Sequence, residues 1–429
     1  MDALRRTGVT IRKAGPGDAV AGVTPRLVAL PETTGEVAAL LRVSAEHDLA
    51  VVPAGEGTKL GWGAPPERCD LLIDTCCLTL DGRSTVEHAP GDLVVRVSAG
   101  VPAATLASLP GPSGLRQELA LDTPLPGGTV GGTLATAIAG PRRLRYGTAR
   151  DLLIGATVVL ADGTIATSGG RVVKNVAGYD LGKLFCGSYG TLGVITEAIF
   201  RLHPVPTARR WIVATLPSPA APGAGGGPDA TAGPRALVAG LVTGLASSQA
   251  EPSAIELDWP APHGDLTLAV LVEGRAAEER ALPLRDLIGG HILGDGAHVS
   301  DRPPPWWNTL PGEEVLLELR FPPAEAGDAL RAVAARGLPA RVRGSVASGV
   351  LHVAPPPALG GPELSAFVSS VRDDLGRLGG GVIVLAVPPE PGRTVERWGP
   401  VGALPLMRRI KERFDPGRRM SPGRFAGGI

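Results

Sequence analysis

PLPGGTVGGTLATAIAGPRRLRYGTARD, Pro124 to Asp151, places four glycines ahead of TLATAIA, a run of small residues suited to a helix that other groups must approach closely. Gly131 and Gly132 fall at the expected N-terminus of that helix. Free N–H groups and the positive end of the helix dipole there favour a phosphate or an electron-rich ring edge. Arg142, Arg143 and Arg145 follow, and each either supports such an anion or is solvated at the surface.

Two more glycine clusters flank this one. PAGEGTKLGWG, Pro53 to Gly63, leaves a strand with glycines at Gly55, Gly57, Gly61 and Gly63, so backbone N–H groups can approach an anion without Cβ obstruction. Its G-x-G-x-x-x-G spacing, with a strand following, fails the Rossmann fingerprint, and no Gly-Lys-Ser/Thr completes a Walker A loop. Alone, such a loop in a chain with 60 glycines reads more readily as an ordinary turn. The third cluster, in Gly169 to Pro204, supplies GSYGTLG before the apolar strand VITEAIF, an edge able to donate backbone hydrogen bonds to a polar ring. Tyr179 and Leu184, at helical spacing, read as core.

At 429 residues the chain exceeds what one core usually organises, and two domains are expected. The 60 Gly and 42 Pro sit beside an apolar fraction of 44%, so the chain reads as globular and loop-rich. Forty-two basic and forty-two acidic residues cancel, which leaves no global field to gather nucleic acid or an anionic membrane. The amino terminus lacks an apolar signal region, and ALVAGLVTGLA from Ala236 is too short to span a bilayer. A cytoplasmic protein is expected. Cys69, Cys76, Cys77 and Cys186 show no metal-ligand spacing and read as buried thiols. His291 and His298, in HILGDGAH, read as solvated loop residues.

Local patterning of the first half is mixed α and β. Thr33 to Glu36 matches a capping box, followed by Val37, Leu40, Leu41 and Ala45 at helical spacing to near Asp48. AVVP, LLID (Leu71 to Asp74) and LVVRVSAG from Leu93 read as strands, and Asp162-Gly163 suits a type I′ hairpin turn. PSPAAPGAGGGPDATAGPR, Pro217 to Arg235, has no periodicity and marks a connection. Beyond it LTLAVLVEG, AAEERALPLRDLI, EVLLELRF, AEAGDALRAVAARGL, ARVRGS, VLHVA, ELSAFVSSVRDDLGRLG and VIVLAV suggest an antiparallel sheet backed by helices. PLMRRIKERFDPGRRMSPGRFAGGI reads as an amphipathic helix and an extension that folds back on the first domain.

PAGEGTKLGWG, GTVGGTLATAIAGPRRLRYGTARDLLIGATVVLADGTI and NVAGYDLGKLFCGSYGTLGVIT resemble the pyrophosphate loop, central flavin segment and closing strand of PCMH-type FAD-binding domains of the vanillyl-alcohol oxidase superfamily, over about Thr24 to Pro204. RRLRYG, KNVAGYDLGKLF and the tail FDPGRRMSPGR look most like the family of FAD-binding subunits of glycolate oxidase, with Ser421 in place of the usual Asn.

The resemblance implies an α+β fold: a two-subdomain FAD-binding domain over 1–208, a linker over 209–236, a smaller cap domain of antiparallel sheet and helices over 237–400, and a returning segment over 401–429. It implies FAD, with Pro53, Gly55, Glu56, Gly57, Thr58 and Lys59 around the diphosphate and Thr129, Gly131, Gly132 and Thr136 along the flavin. Gly190, Gly193, Val194 and Ile195 would complete the pocket through backbone groups. Where covalent members offer a His, this chain has Glu56-Gly57-Thr58, which implies non-covalent attachment.

Catalytic relatives carry His-x-Gly-Asp-Gly-Asn-x-His, whose metal polarises a 2-hydroxy acid. HILGDGAH does not match it, and no catalytic residue is assigned. The expected role is therefore the FAD-binding subunit of a glycolate (2-hydroxy acid) oxidase or dehydrogenase complex, beside a catalytic FAD subunit and an iron–sulfur subunit. A self-sufficient dehydrogenase and a non-catalytic scaffold are the alternatives.

Overall fold

In a computed structural model the described residues are 2–171, 180–218, 234–262, 264–291, 296–389 and 395–429. Tyr179 lies outside them. The chain forms two compact units, one of Met1–Ala139, Gly147–Val205 and Pro400–Ile429, the other of Gly140–Tyr146 and Pro206–Gly399.

The first unit opens with α1 (Asp2–Arg5), β1 (Thr10–Lys13), β2 (Leu27–Leu30), α2 (Thr34–Glu46), β3 (Val51–Ala54) and β4 (Leu71–Asp74). These strands make a sheet in the order β1-β2-β4-β3, with β2 and β3 parallel to β4 and β1 antiparallel to β2. Helix α2 is the crossover such a parallel arrangement requires. Thr33 Oγ1 accepts from Glu36 N–H at 3.2 Å, while the Glu36 carboxylate accepts from Glu32 N–H at 2.7 Å, one residue earlier than a capping box would have it. Val37, Leu40 and Leu41 bury against Leu71 and Ile73 in one cluster.

The chain continues with β5 (Val86–Ala89), β6 (Val94–Ser98), β7 (Leu109–Pro110), β8 (Arg116–Glu118) and α3 (Val130–Thr136). Then come α4 (Arg143–Tyr146), α5 (Ala149–Leu152), β9 (Leu153–Val159), β10 (Ile165–Gly169), β11 (Val194–Arg201) and β12 (His203–Pro204). An antiparallel five-stranded sheet runs β10-β9-β11-β6-β5, and a small one runs β12-β8-β7. The β9–β10 turn is not type I′. Gly163 has φ +83° but Asp162 does not take positive φ, and Gly163 N–H donates to Leu160 O at 2.9 Å, the four-residue turn plus left-handed glycine of a longer hairpin loop.

In the second unit follow β13 (Arg209–Leu216), α6 (Pro234–Ala246), β14 (Ala254–Trp259), β15 (Leu266–Glu273), α7 (Ala277–Gly289), β16 (Ala297–Ser300) and β17 (Leu316–Arg320). The rest are α8 (Ala326–Ala334), β18 (Arg341–Ser345), β19 (Val350–Ala354), α9 (Gly361–Arg377) and β20 (Gly381–Ala386), before α10 (Leu404–Phe414) in the first unit. One eight-stranded antiparallel sheet runs β16-β13-β15-β14-β18-β19-β17-β20. Alternate residues such as Leu257, Val270, Leu319 and Val353 face a core with Leu241 and Leu245 of α6, Leu330 of α8 and Val371 of α9. The opposite register carries Glu256, Asp258, Glu273, Glu318 and His352, all buried.

Four further expectations change. Residues 209–216 are not linker but strand β13, paired along its whole length with β15 from Arg209↔Glu273 to Leu216↔Leu266. Arg142, Arg143 and Tyr146 leave the first unit for the second, where Arg142 lies 3.7 Å from Glu273 and Tyr146 OH donates to the same carboxylate at 3.1 Å. Of the cysteines only Cys69 is buried; Cys76 and Cys77 are exposed and Cys186 is intermediate. Burial pushes the Cys69 thiol up to about 12. His298 sits on an exposed position of β16, opposite Val213, instead of in a loop.

Candidate functional site

The C-terminal end of β3, the segment Thr129–Thr136 and the approach to β11 converge within the first unit on one cavity. Thirteen of the fourteen expected contacts line it: Pro53, Gly55, Glu56, Gly57, Thr58, Lys59, Thr129, Gly131, Gly132, Thr136, Gly190, Gly193 and Ile195. Val194 does not; its side chain is fully buried in the core around Leu71 and Ile73, and its backbone sits opposite Val159 in the β9–β11 ladder. Arg142, Arg143 and Arg145 are not among the lining residues.

The glycines are needed for close approach. A Cβ on Gly55 would lie 2.2 Å from Thr129 Oγ1, and one on Gly190, at φ +73°, would lie 2.6 Å from Pro53 Cγ. The first contact lets the Gly55 turn pack against the N-cap of α3, where Thr129 Oγ1 accepts from Gly132 N–H at 3.2 Å.

The free N–H groups expected at Gly131 and Gly132 are engaged. Val130 N–H donates to Val101 O and Gly131 N–H to Ala99 O, both at 2.8 Å, and Gly132 is taken by Thr129. The unpaired donors lie in the other loop. The backbone N–H groups of Glu56, Gly57, Thr58 and Lys59 donate to nothing among the described residues, and Gly57, at φ +79°, gives this run the concave turn of an anion nest. In this half-exposed loop the successive donors stand open to solvent, where a polyanion is a partner that can take them together.

The charges agree. Lys59 Nζ donates to Thr58 Oγ1 at 3.0 Å, and burial lowers its pKa against the opposing attraction of Glu56. Glu56 itself is turned to Gly128 N–H, which it accepts at 2.6 Å. No histidine or cysteine is among the residues lining the cavity. Reading of the sequence missed Ala54, Leu60, Thr75, Ala135, Ser188, Tyr189 and Arg424 in this lining. Tyr189 takes φ +54° and its ring stands 5.7 Å from that of Phe425.

Tail residues join the first unit directly. Val51 N–H donates to Arg419 O and Ser421 N–H to Val51 O, each at 2.8 Å, beside β3. Ser421 occupies φ +43°, a backbone region that Asn tolerates better.

An FAD binding domain profile matches residues 25–169. Glycolate oxidase subunit GlcD of Bacillus subtilis is 36% identical over 195 residues, 44% of this chain and 39% of that protein. The mitochondrial D-lactate dehydrogenase [cytochrome] 1 of Saccharomyces cerevisiae is 38% identical over 184 residues, 43% of this chain and 31% of that protein. These matches thus span well under half of either relative's length. Alkyldihydroxyacetonephosphate synthase has a similar fold, with a TM-score of 0.61 at 17% identity over 93% of this chain and 77% of that one. No described helix is long and apolar enough to cross a membrane, and no group of three or more metal-ligating side chains gathers among the described residues. The glycine-rich cavity and the domain profile agree that this chain carries an FAD-binding domain, related to those of FAD-linked oxidoreductases.

Proposed function

We propose that the chain is an FAD-dependent oxidoreductase that holds its cofactor non-covalently in this cavity and serves as the FAD-bearing subunit of a cytoplasmic glycolate (2-hydroxy acid) oxidase or dehydrogenase complex. The observation that carries the cofactor placement is the run of four unpaired N–H groups from Glu56 to Lys59. These groups and Lys59, with Pro53, Gly55, Gly57 and Thr58, would surround the diphosphate. Thr129, Gly131, Gly132 and Thr136 would lie along the flavin, the two glycines by leaving room instead of by donating. Gly190, Gly193 and Ile195 would close the pocket, with Val194 anchoring their strand from behind. FAD held there would supply hydride or electron acceptance, while the chain's own groups would bind it and exclude water.

The subunit role is supported by the name of the Bacillus subtilis relative, a glycolate oxidase subunit, and by the lack in the sequence of a His-x-Gly-Asp-Gly-Asn-x-His motif. The yeast relative, a D-lactate dehydrogenase, keeps the self-sufficient enzyme as the second reading. Co-expression decides between them. The subunit reading expects negligible oxidation of glycolate or D-lactate by the isolated, FAD-saturated chain with an artificial acceptor. Activity should appear with a motif-bearing flavoprotein and an iron–sulfur subunit, both recovered by pull-down of this chain. Robust turnover by the isolated chain contradicts it.

A further inference from the structure

The cavity is lined by a second cation that belongs to the tail. Arg424 is 4% exposed, and among the described residues its guanidinium donates only to main-chain carbonyls, Leu60 O at 3.0 Å and Trp62 O at 2.5 Å. Its buried Nε has no hydrogen-bond partner, and no carboxylate among the described residues lies within ion-pair distance of it. Burial, against slight attractions from Tyr189 and Cys69, brings its pKa down to about 10. Guanidinium groups are rarely excluded from water without an anion, because desolvation goes uncompensated. Leu60 and Trp62 immediately follow the four unpaired N–H groups, so the tail arginine is fastened to the same loop as the anion nest.

We propose that Arg424 is the counter-cation of the cofactor's diphosphate, reaching it from the tail as Lys59 does from the loop. The inference rests on FAD occupying this cavity. A guanidinium held by two carbonyls keeps its remaining N–H groups in fixed directions, a geometry suited to phosphate oxygens. The other anionic locus of a flavin nucleotide, the pyrimidine edge of the ring, is separated from the diphosphate by the choice of ligand.

The test titrates FAD, ADP and riboflavin calorimetrically into the full-length apo chain and its Arg424→Gln and Arg424→Lys variants. Losing a charged hydrogen bond to phosphate predicts about tenfold to hundredfold weaker binding of both FAD and ADP by Arg424→Gln, with riboflavin unchanged. Arg424→Lys keeps the charge and should hold FAD within about tenfold of the parent. Four outcomes overturn the proposal: unchanged FAD and ADP affinity in Arg424→Gln, a parallel loss of riboflavin, a loss in Arg424→Lys as large as in Arg424→Gln, or a lowered melting temperature of the apo variants with FAD affinity intact, the signature of a brace. A parent chain that binds no FAD refutes the cofactor placement itself. A parent that binds FAD, with variants that bind it equally well, refutes only the role of Arg424.

Discussion

Lys411 Nζ lies 2.8 Å from Asp415 Oδ2, four residues along the chain at the end of α10, and both side chains are almost wholly excluded from water. The pair ties three pieces of the first unit together. Lys411 also donates to Thr191 O at 2.7 Å and Met420 O at 2.8 Å, while Asp415 accepts from the N–H groups of Arg419 and Met420. All three ammonium protons are therefore used and both carboxylate oxygens accept, the condition under which a buried ion pair can be tolerated.

Breaking this pair on one side should destabilise the unit strongly. Lys411→Met leaves the Asp415 carboxylate and the Thr191 and Met420 carbonyls without the ammonium donor, a loss of about 3–5 kcal/mol. Urea denaturation of the full chain checks it. A change under about 1 kcal/mol would place the pair among interactions with little net effect.

Glu318 gives the second unit a predicted acid sensitivity. Burial raises its pKa, but the His352 imidazole 3.6 Å away and the charges of Arg320 and Arg143 outweigh this and hold the carboxyl at about 2. At that distance the ring makes no formed hydrogen bond, and the direct partner is Arg320, whose Nε donates to the carboxylate at 2.7 Å. The folded pKa lies below the unfolded value, so the stabilisation is present above about pH 4.5 and fades as pH falls toward 2. The expected loss is about 3 kcal/mol across that window. Denaturation curves at stepped pH should show it, and Glu318→Gln should start less stable at neutral pH and flatten the profile. Parallel profiles for parent and variant would refute it.

Gly57→Asp tests the anion nest. The substitution puts a side chain at φ +79°, a strain of about 1 kcal/mol, and brings a carboxylate beside the N–H groups assigned to phosphate. Flavin affinity should fall about a hundredfold or more. Gly240→Ala, in α6 where an added Cβ meets nothing within 4 Å, should leave flavin content unchanged. Equal flavin content in both variants would show the nest to be misplaced.

Local sequence carried much of this. Glycine density around Gly55 and Gly57, Gly131 and Gly132, and Gly190 and Gly193 marks backbone that must come close to something, and these six glycines line one cavity. What local reading could not tell is which N–H groups stay free. Gly131 is taken by Ala99 O across a strand end some thirty residues earlier, whereas the loop after β3 has no such neighbour. Arg424 was hidden because its partners, Leu60 and Trp62, lie more than 360 positions away, and an arginine in a Pro/Gly-rich tail reads as solvated. Strand β13 was absorbed into the adjoining Pro/Gly/Ala run, although Trp211, Ile212 and Ala214 bury as a strand's residues do. The arginines after α3 pointed to an anion; their anions proved to be the chain's own carboxylates, Glu273 for Arg142 and, at longer range, Glu318 and Glu256 for Arg143.

Titration of FAD into the apo chain, followed by acid precipitation of the complex, tests the central claim most directly. The account predicts saturable binding of one FAD per chain, giving a yellow protein whose flavin passes wholly into the acid supernatant, since among the described residues neither His nor Cys lines the cavity. A chain that takes up no FAD would contradict the cofactor site itself, and flavin that stays with the pellet would contradict its non-covalent attachment.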